Sequence, residues 1–512
     1  MRSVSDREFE LKLELTPQQL QRVGINPALE HLTVGQPVTR TLRSIYYDTP
    51  DHRLRAQGIS LRVRSIGDQW VQTIQSGRTS ARNGASHPDD LELVIANAEP
   101  DISQIADSKV RRVIRKAVSS STLEPQFETL VTRTTRKLHS EKGDLELALD
   151  EGIVRAGKIE DTLCEAELEL KTGSPECLLE TAAALFSTEA LRFAEGTKAD
   201  RGYNLVLGRG TASAKPLKAR ITSLRGDETC AEALALFTEA ATDQIVSNRR
   251  ALLETDDPEA AHQLRIGLRR LRSALKAFRP LSHGSGTREL ELHAKKLGQC
   301  IGELRNADVL IEGILAPVAG TRKGEPGFAD LRSALEDHRA SVRNQTRTAL
   351  DGEQWSKLHL YLALWPRTVE DEAALQAPVR AFAGKCLRTG WKRISKQGAS
   401  VNDLTIEARH DMRKALKGFR YTSEFFGSLF EADKVQKFVK DLKRLQDIFG
   451  YVNDVATATE LGAICQRRCG DNPEAQRASG YVLGWHAAEA SHAWKGVARE
   501  WERLNRRRPF WD

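Results

Sequence analysis

Several short segments of the chain carry an ionisable side chain at every second position. Glu8, Glu10 and Lys12 alternate with Phe9, Leu11 and Leu13, and Arg62 and Arg64 lie beside Leu61 and Val63. Glu146 and Asp150 fall in one phase beside Leu145 and Leu149, and Glu165, Glu167 and Glu169 alternate with Ala166, Leu168 and Leu170. Successive side chains of a strand point to opposite faces, so each segment has a charged face and an apolar one. In a single strand the charged face is simply the wet side of a sheet over its core. Repeated in strands of both signs, it predicts a shared cavity in which carboxylate oxygens hold a divalent cation and basic groups hold phosphate oxygens. That is the equipment of phosphoanhydride chemistry.

A second set of charges repeats at helical spacing. His262, Arg265, Arg269 and Arg272 share one stripe of a helix, opposite Leu264, Leu268, Leu271, Leu275 and Phe278. The pattern returns 148 positions later as His410, Arg413, Lys414, Lys417 and Arg420 against Met412, Leu416 and Phe419. Lys295-Lys296-Leu297 and Gly302 return at the same offset of 148 as Lys443-Arg444-Leu445 and Gly450, which implies two copies of one helical unit. An ordinary solvated face mixes signs, whereas these stripes hold no Glu and only Asp411 nearby. Like charges kept together point to a visiting anion. Neither stripe is interleaved with the aromatics that base stacking needs, which disfavours nucleic acid.

The elements that must position these residues change character along the chain. Period-two alternation dominates to about residue 207, a Gly- and Ser-containing stretch from Gly208 to Pro216 interrupts it, and helical spacing runs from about Cys230 to the end. The expected organisation is a strand domain over 1–207, a linker over 208–225 and an all-α domain over 226–512 of two related helical bundles. A chain of 512 residues is long enough for several cores, and 40% hydrophobic with 29% charged residues is a globular composition. The net charge of +7 permits an anionic partner without naming it. Seven scattered cysteines without a CxxC pair argue against a disulfide framework or a zinc ribbon. The charged start and the absence of a run of eighteen apolar residues predict a cytoplasmic protein outside the membrane.

The strand half resembles the CYTH family, the triphosphate tunnel metalloenzymes. The resemblance rests on Glu8-Phe9-Glu10-Leu11-Lys12, on Tyr46-Tyr47-Asp48-Thr49-Pro50, on Arg62 with Arg64, and on Arg133. It continues through Asp150-Glu151-Gly152, the acidic strand from Glu165 to Glu169, and Lys198 ahead of Arg201-Gly202-Tyr203. It implies an antiparallel closed β-barrel around a triphosphate-binding tunnel. It also implies that Glu8, Glu10, Glu167 and Glu169, with Asp150, bind Mg²⁺ or Mn²⁺ and orient the attacking water, while Lys12, Arg62, Arg64, Arg133 and Lys198 grip the phosphates. The helical half resembles the CHAD family, whose paired bundles bind inorganic polyphosphate. The residues that carry this are His262, Arg265, Arg269, Arg270 and Arg272, the run Leu304-Arg305-Asn306-Ala307-Asp308-Val309, His410 with Arg413, Lys414, Lys417, Arg420 and Tyr421, and Gln446 to Gly450 leading to Asn453-Asp454.

Two positions depart from the CYTH pattern. Gln75 stands where the family carries a Lys, and His87-Pro88-Asp89 stands where it carries Arg-x-Glu, so the expected lining loses two fixed positive charges; His87 supplies one only when protonated, and Arg78 and Arg82 are either compensating cations from the intervening loop or solvated surface residues. The expectation is an α+β multidomain protein that hydrolyses inorganic triphosphate with Mg²⁺ or Mn²⁺ and binds polyphosphate, with a place at polyphosphate granules. The alternative is a non-catalytic polyphosphate scaffold with a degraded tunnel. Adenylate cyclase and thiamine triphosphatase activity also occur in the CYTH family, and the fusion to CHAD favours the inorganic substrate.

Overall fold

The computed structural model describes residues 9–67, 69–76, 89–118, 121–186, 192–194, 196–208, 214–282, 284–369 and 372–511; Glu8, Arg78, Arg82 and His87 lie outside them. The chain divides into two compact units, Met1–Ala212 with Trp355–Thr368, and Ser213–Gln354 with Val369–Asp512.

The first unit runs β1 (Phe9–Glu14), α1 (Pro17–Gly24), α2 (Ala28–Leu32), β2 (Thr33–Asp48), α3 (Arg53–Ala56), β3 (Ile59–Ile66), β4 (Gln69–Ser76) and β5 (Asp89–Ile95). It continues with α4 (Ser108–Val118), β6 (Glu124–Ser140), β7 (Gly143–Ala156), β8 (Ile159–Gly173), α5 (Pro175–Phe186), β9 (Arg192–Phe193) and α6 (Lys198–Val206). The strands make one antiparallel sheet in the order β5-β4-β3-β2-β6-β7-β8-β1-β9. The expected closed barrel is not formed. Closure would need β5 to pair across to β1 or β9, but β1 already has β8 on one edge and β9 on the other, and among the described residues β5 pairs only with β4.

The apolar phase of the alternation makes the core of this sheet. Leu11, Leu13, Leu147, Leu149, Ala166 and Leu168 pack under Leu20 and Val23 of α1 and Leu178, Leu185 and Phe186 of α5. Leu360, Ala363 and Leu364, from the helix around Trp355–Thr368, join the same core. Helix starts follow local chemistry. Thr16 accepts from Gln19 N at 3.2 Å while the Gln19 side chain accepts from Thr16 N at 2.8 Å, with Pro17 in the first turn of α1. Thr197 and Asp200 make the same reciprocal pair at 3.2 and 3.0 Å, which starts α6 at Lys198.

The helical sequence continues with α7 (Cys230–Glu254), α8 (Pro258–Phe278), α9 (Ser285–Val309), a π-helical turn at Leu310–Leu315, α10 (Ala316–Thr321), α11 (Phe328–Leu350) and α12 (Glu353–Thr368). Then follow α13 (Val379–Gly398), α14 (Ile406–Phe426), α15 (Ala432–Thr457), α16 (Glu460–Cys469), α17 (Pro473–Lys495) and α18 (Val497–Asn505). In the second unit α7, α8, α9 and α11 pack in sequence, as do α13, α14, α15 and α17, and the starts of α8 and α14 are 148 residues apart. Among the described residues no helix is long and apolar enough to cross a membrane.

Candidate functional site

Strand register brings the charged phases of the first unit onto one face. Glu10, Lys12 and Glu14 of β1 stand opposite Glu169, Glu167 and Glu165 of β8, and Glu165 and Glu169 stand opposite Asp150 and Glu146 of β7. Arg133 of β6 faces Asp150. Further across the sheet, Tyr46 and Ser44 of β2 face Arg62 and Arg64 of β3, and Arg62 faces Thr73 of β4.

At the centre is a dense ion network. Arg133 grips Asp150 through two hydrogen bonds of 2.7 Å and reaches Glu167 at 2.6 Å. The Lys198 ammonium, delivered by the first turn of α6, lies 3.0 Å from both Asp150 and Glu167 and also contacts Glu165. Lys12 sits 3.4 Å from Glu10 and 3.5 Å from Glu167. Burial alone would raise the Glu167 carboxyl, but Lys198, Lys12 and Arg133 outweigh it and hold it well below the usual range. Burial likewise would lower the Lys198 and Arg133 cations, yet the surrounding carboxylates raise both. Glu10 behaves oppositely: burial raises it, and the charges of Glu167 and Glu169 add to that against the pull of Lys12.

Carboxylate oxygens of Asp150, Glu165 and Glu167 lie within 4.8 Å of one another. An all-oxygen donor set of this kind fits a hard divalent cation. Of the expected metal residues, Asp150 and Glu167 belong to this group; Glu10 is one strand pair away, Glu169 is drawn to Lys171 at 2.7 Å, and Glu8 is outside the described residues. Sequence reasoning left Glu165 out of the metal set, although it shares the phase of Glu167.

The basic side of the same face has little counter-charge. Arg64 hydrogen-bonds Ser44 Oγ at 3.0 Å and forms no ion pair among the described residues, and burial followed by the neighbouring Arg62 lowers its guanidinium to about 10. Arg62 donates to Thr73 Oγ1 at 3.1 Å and is 3.9 Å from Glu92. Gln75 is in register with Ser60 in the phase of Arg62, so a neutral amide stands on the charged face.

Helix α6 is fixed from several sides. Tyr203 donates its hydroxyl to Asp48 at 2.8 Å, and the fully buried Asp48 also accepts from the backbone N–H groups of Thr49, Leu54 and Arg55. Arg201 binds Asp161 at 2.6 Å and Glu14 at 2.8 Å. A Cβ on Gly202 would lie 2.1 Å from the Phe127 ring, so only glycine permits this approach.

In the second unit the stripes of α8 and α14 converge. Arg269, Arg413 and Arg265 all act on Lys417, and Arg413 is 3.6 Å from Asp454 of α15. Burial, then Arg269 and Arg413, lowers the Arg265 guanidinium to about 10 while it donates to Gly302 O at 2.9 Å. Burial and then Arg305 lower His262. His410 is 3.1 Å from Asn453 Oδ1. Arg272 and Arg393 both bear on Lys276, extending the basic lining beyond the expected residues; Arg393, on the neighbouring α13, carries no repeat signal. Lys414 turns outward to Asp411 at 3.4 Å, and Arg420 pairs with Glu424, also at 3.4 Å. Buried Arg270 ties α8 to α14 through Glu424 at 3.0 Å, a structural link.

Comparison with known proteins finds two family patterns along the chain. The CYTH domain pattern matches residues 6–203 and the CHAD domain pattern matches residues 237–463. An inorganic triphosphatase of Haemophilus influenzae is 30% identical over 207 residues, 40% of this chain and 56% of that protein, so the chain spans about half the length of this curated relative. The crystal structure of the CHAD domain from the plant Ricinus communis aligns over 57% of this chain and 97% of that one, at a TM-score of 0.51 and 26% identity. The chain therefore joins a CYTH domain to a CHAD domain.

Proposed function

We propose that the first unit is a metal-dependent inorganic triphosphatase and that the second unit binds polyphosphate. The observation that carries the first part is one sheet face on which Asp150, Glu165 and Glu167 converge within 4.8 Å while the nearby Arg64 is a half-buried cation with no ion pair among the described residues. Asp150, Glu165 and Glu167 would hold Mg²⁺ or Mn²⁺, with Glu10 and Glu169 supporting from β1 and β8. Such an ion supplies Lewis-acid polarisation of phosphate oxygens. Arg62 and Arg64 take the terminal phosphate oxygens, and Arg133, Lys12 and Lys198 exchange part of their carboxylate contacts for phosphate. Glu10, whose carboxyl is raised by burial, takes the proton from the attacking water.

The relative from Haemophilus influenzae supports inorganic triphosphate as the substrate. The convergence of Arg265, Arg269, Arg413 and Lys417 supports an extended polyanion as the ligand of the second unit. A non-catalytic scaffold is the second reading, favoured by the neutral Gln75 on the charged face and by the tight pairing of Lys198 with carboxylates. Phosphate release from tripolyphosphate by Glu10→Gln and its parent separates the readings. A parent without activity, or an unaffected variant, overturns the catalytic assignment.

A further inference from the structure

The amine of Lys417 sits among guanidinium groups. It lies one helical turn beyond Arg413 on α14, with Arg265 and Arg269 of α8 acting on it from the facing helix and Asp454 of α15 supplying the opposing charge. Asp454 is itself engaged by Arg413, and Lys417 is half-buried and forms no ion pair among the described residues. Burial first, then the charges of Arg269 and Arg413, lower its ammonium to about 7. Lys414 on the same helix offers an internal contrast, with a side chain 63% exposed and 3.4 Å from Asp411.

An uncharged amine is a nucleophile, and guanidinium groups hold phosphate oxygens with defined geometry. We propose that Lys417 is a covalent modification site for small acyl phosphates, compounds in which a carboxylic acyl group is joined to phosphate. Arg265, Arg269 and Arg413 hold the phosphate, and the lone pair of Lys417 Nζ attacks the acyl carbon. A C–N bond forms and the bond from the acyl carbon to the phosphate oxygen breaks, with its electron pair leaving on phosphate. One amine proton goes to that phosphate, which departs as hydrogen phosphate. No oxidant or reductant is involved. The amide product cannot be protonated, so the cluster loses a group that becomes cationic when an anion binds beside it. That this loss weakens polyphosphate binding rests on the function proposed above; the acylation does not.

The test is incubation of the full chain with acetyl phosphate at pH 7.5, with acetylation followed at each lysine by peptide mass spectrometry. Near neutral pH the uncharged fraction at Lys417 exceeds that of an ordinary lysine by about two to three orders of magnitude, partly offset by lower basicity, so at least a ~10-fold faster reaction than at Lys414 is expected. Pyrophosphate should slow Lys417 and leave Lys414 unchanged. Arg269→Gln should slow acetylation at Lys417 alone, with helix content checked by circular dichroism. Acetylation of Lys417 no faster than of Lys414 would overturn the proposal, and so would a failure of pyrophosphate to protect it from acetyl phosphate. Polyphosphate affinity of the untreated chain, measured separately, tests the other reading: rapid, protectable acetylation without polyphosphate binding supports the modification site and removes only its consequence.

Discussion

Replacing Glu167 by Gln should expose how much of the first unit is held by its ion network. Glu167 lies 2.6 Å from Arg133, 3.0 Å from Lys198 and 3.5 Å from Lys12, with its side chain 13% exposed. Removing one partner of such a buried cluster costs about 3–5 kcal/mol, because the remaining cations keep their desolvation penalty. For a unit of this size that corresponds to a fall in melting temperature on the order of 10 °C. The pH dependence has a definite sign. The Glu167 carboxyl is depressed in the fold, so its contribution is fully present above the unfolded value of about 4.3 and is lost as pH falls toward the folded value. Calorimetric melts of the full chain should therefore show the largest gap between parent and variant near pH 7 and a narrowing gap below about pH 4. Phosphate release from tripolyphosphate should be lost in parallel. Equal stability at pH 7, or a gap unchanged at low pH, would refute the reasoning.

Glu10→Gln should behave oppositely in stability, since burial raises this carboxyl and its charge is a burden at neutral pH: no fall in melting temperature is expected, with phosphate release reduced by about 10²-fold or more. Gly202→Ala should destabilise the first unit by about 1–3 kcal/mol, because the added carbon meets the Phe127 ring at 2.1 Å; a melting curve checks it. Gln75→Lys should lower KM for tripolyphosphate, and an unchanged KM would mean that position 75 does not meet substrate. Arg265→Glu with Arg413→Glu should weaken polyphosphate binding more than either change alone, read by titration at fixed salt. A double variant that stays helical and binds like the parent would remove the stripes from the site.

Much of the first unit was legible because alternation is a local property. The phase that separates Glu165, Glu167 and Glu169 from Ala166 and Leu168 is the pleat itself, and pairing then aligns Glu167 with Lys12. Closure was not legible, since it depends on which strand edges meet, and β1 spends both of its edges on β8 and β9. Nor was the placement of Leu360, Ala363 and Leu364, which lie amid a helical sequence yet fill the core beneath the sheet. In the helical unit, spacing located the basic faces without distinguishing Arg265 within the cluster from Lys414 facing solvent or Arg270 locked to Glu424. Those differences depend on the neighbouring helix, which a single helical stripe does not specify.

The central claim is tested most directly by the initial rate of phosphate release when the full chain is given tripolyphosphate, ATP or thiamine triphosphate with Mg²⁺ or Mn²⁺, before and after addition of a chelator. The account predicts release from tripolyphosphate in preference to the two organic triphosphates, abolished by the chelator and restored by excess metal. No release from tripolyphosphate with either metal, or release that survives chelation, would contradict it.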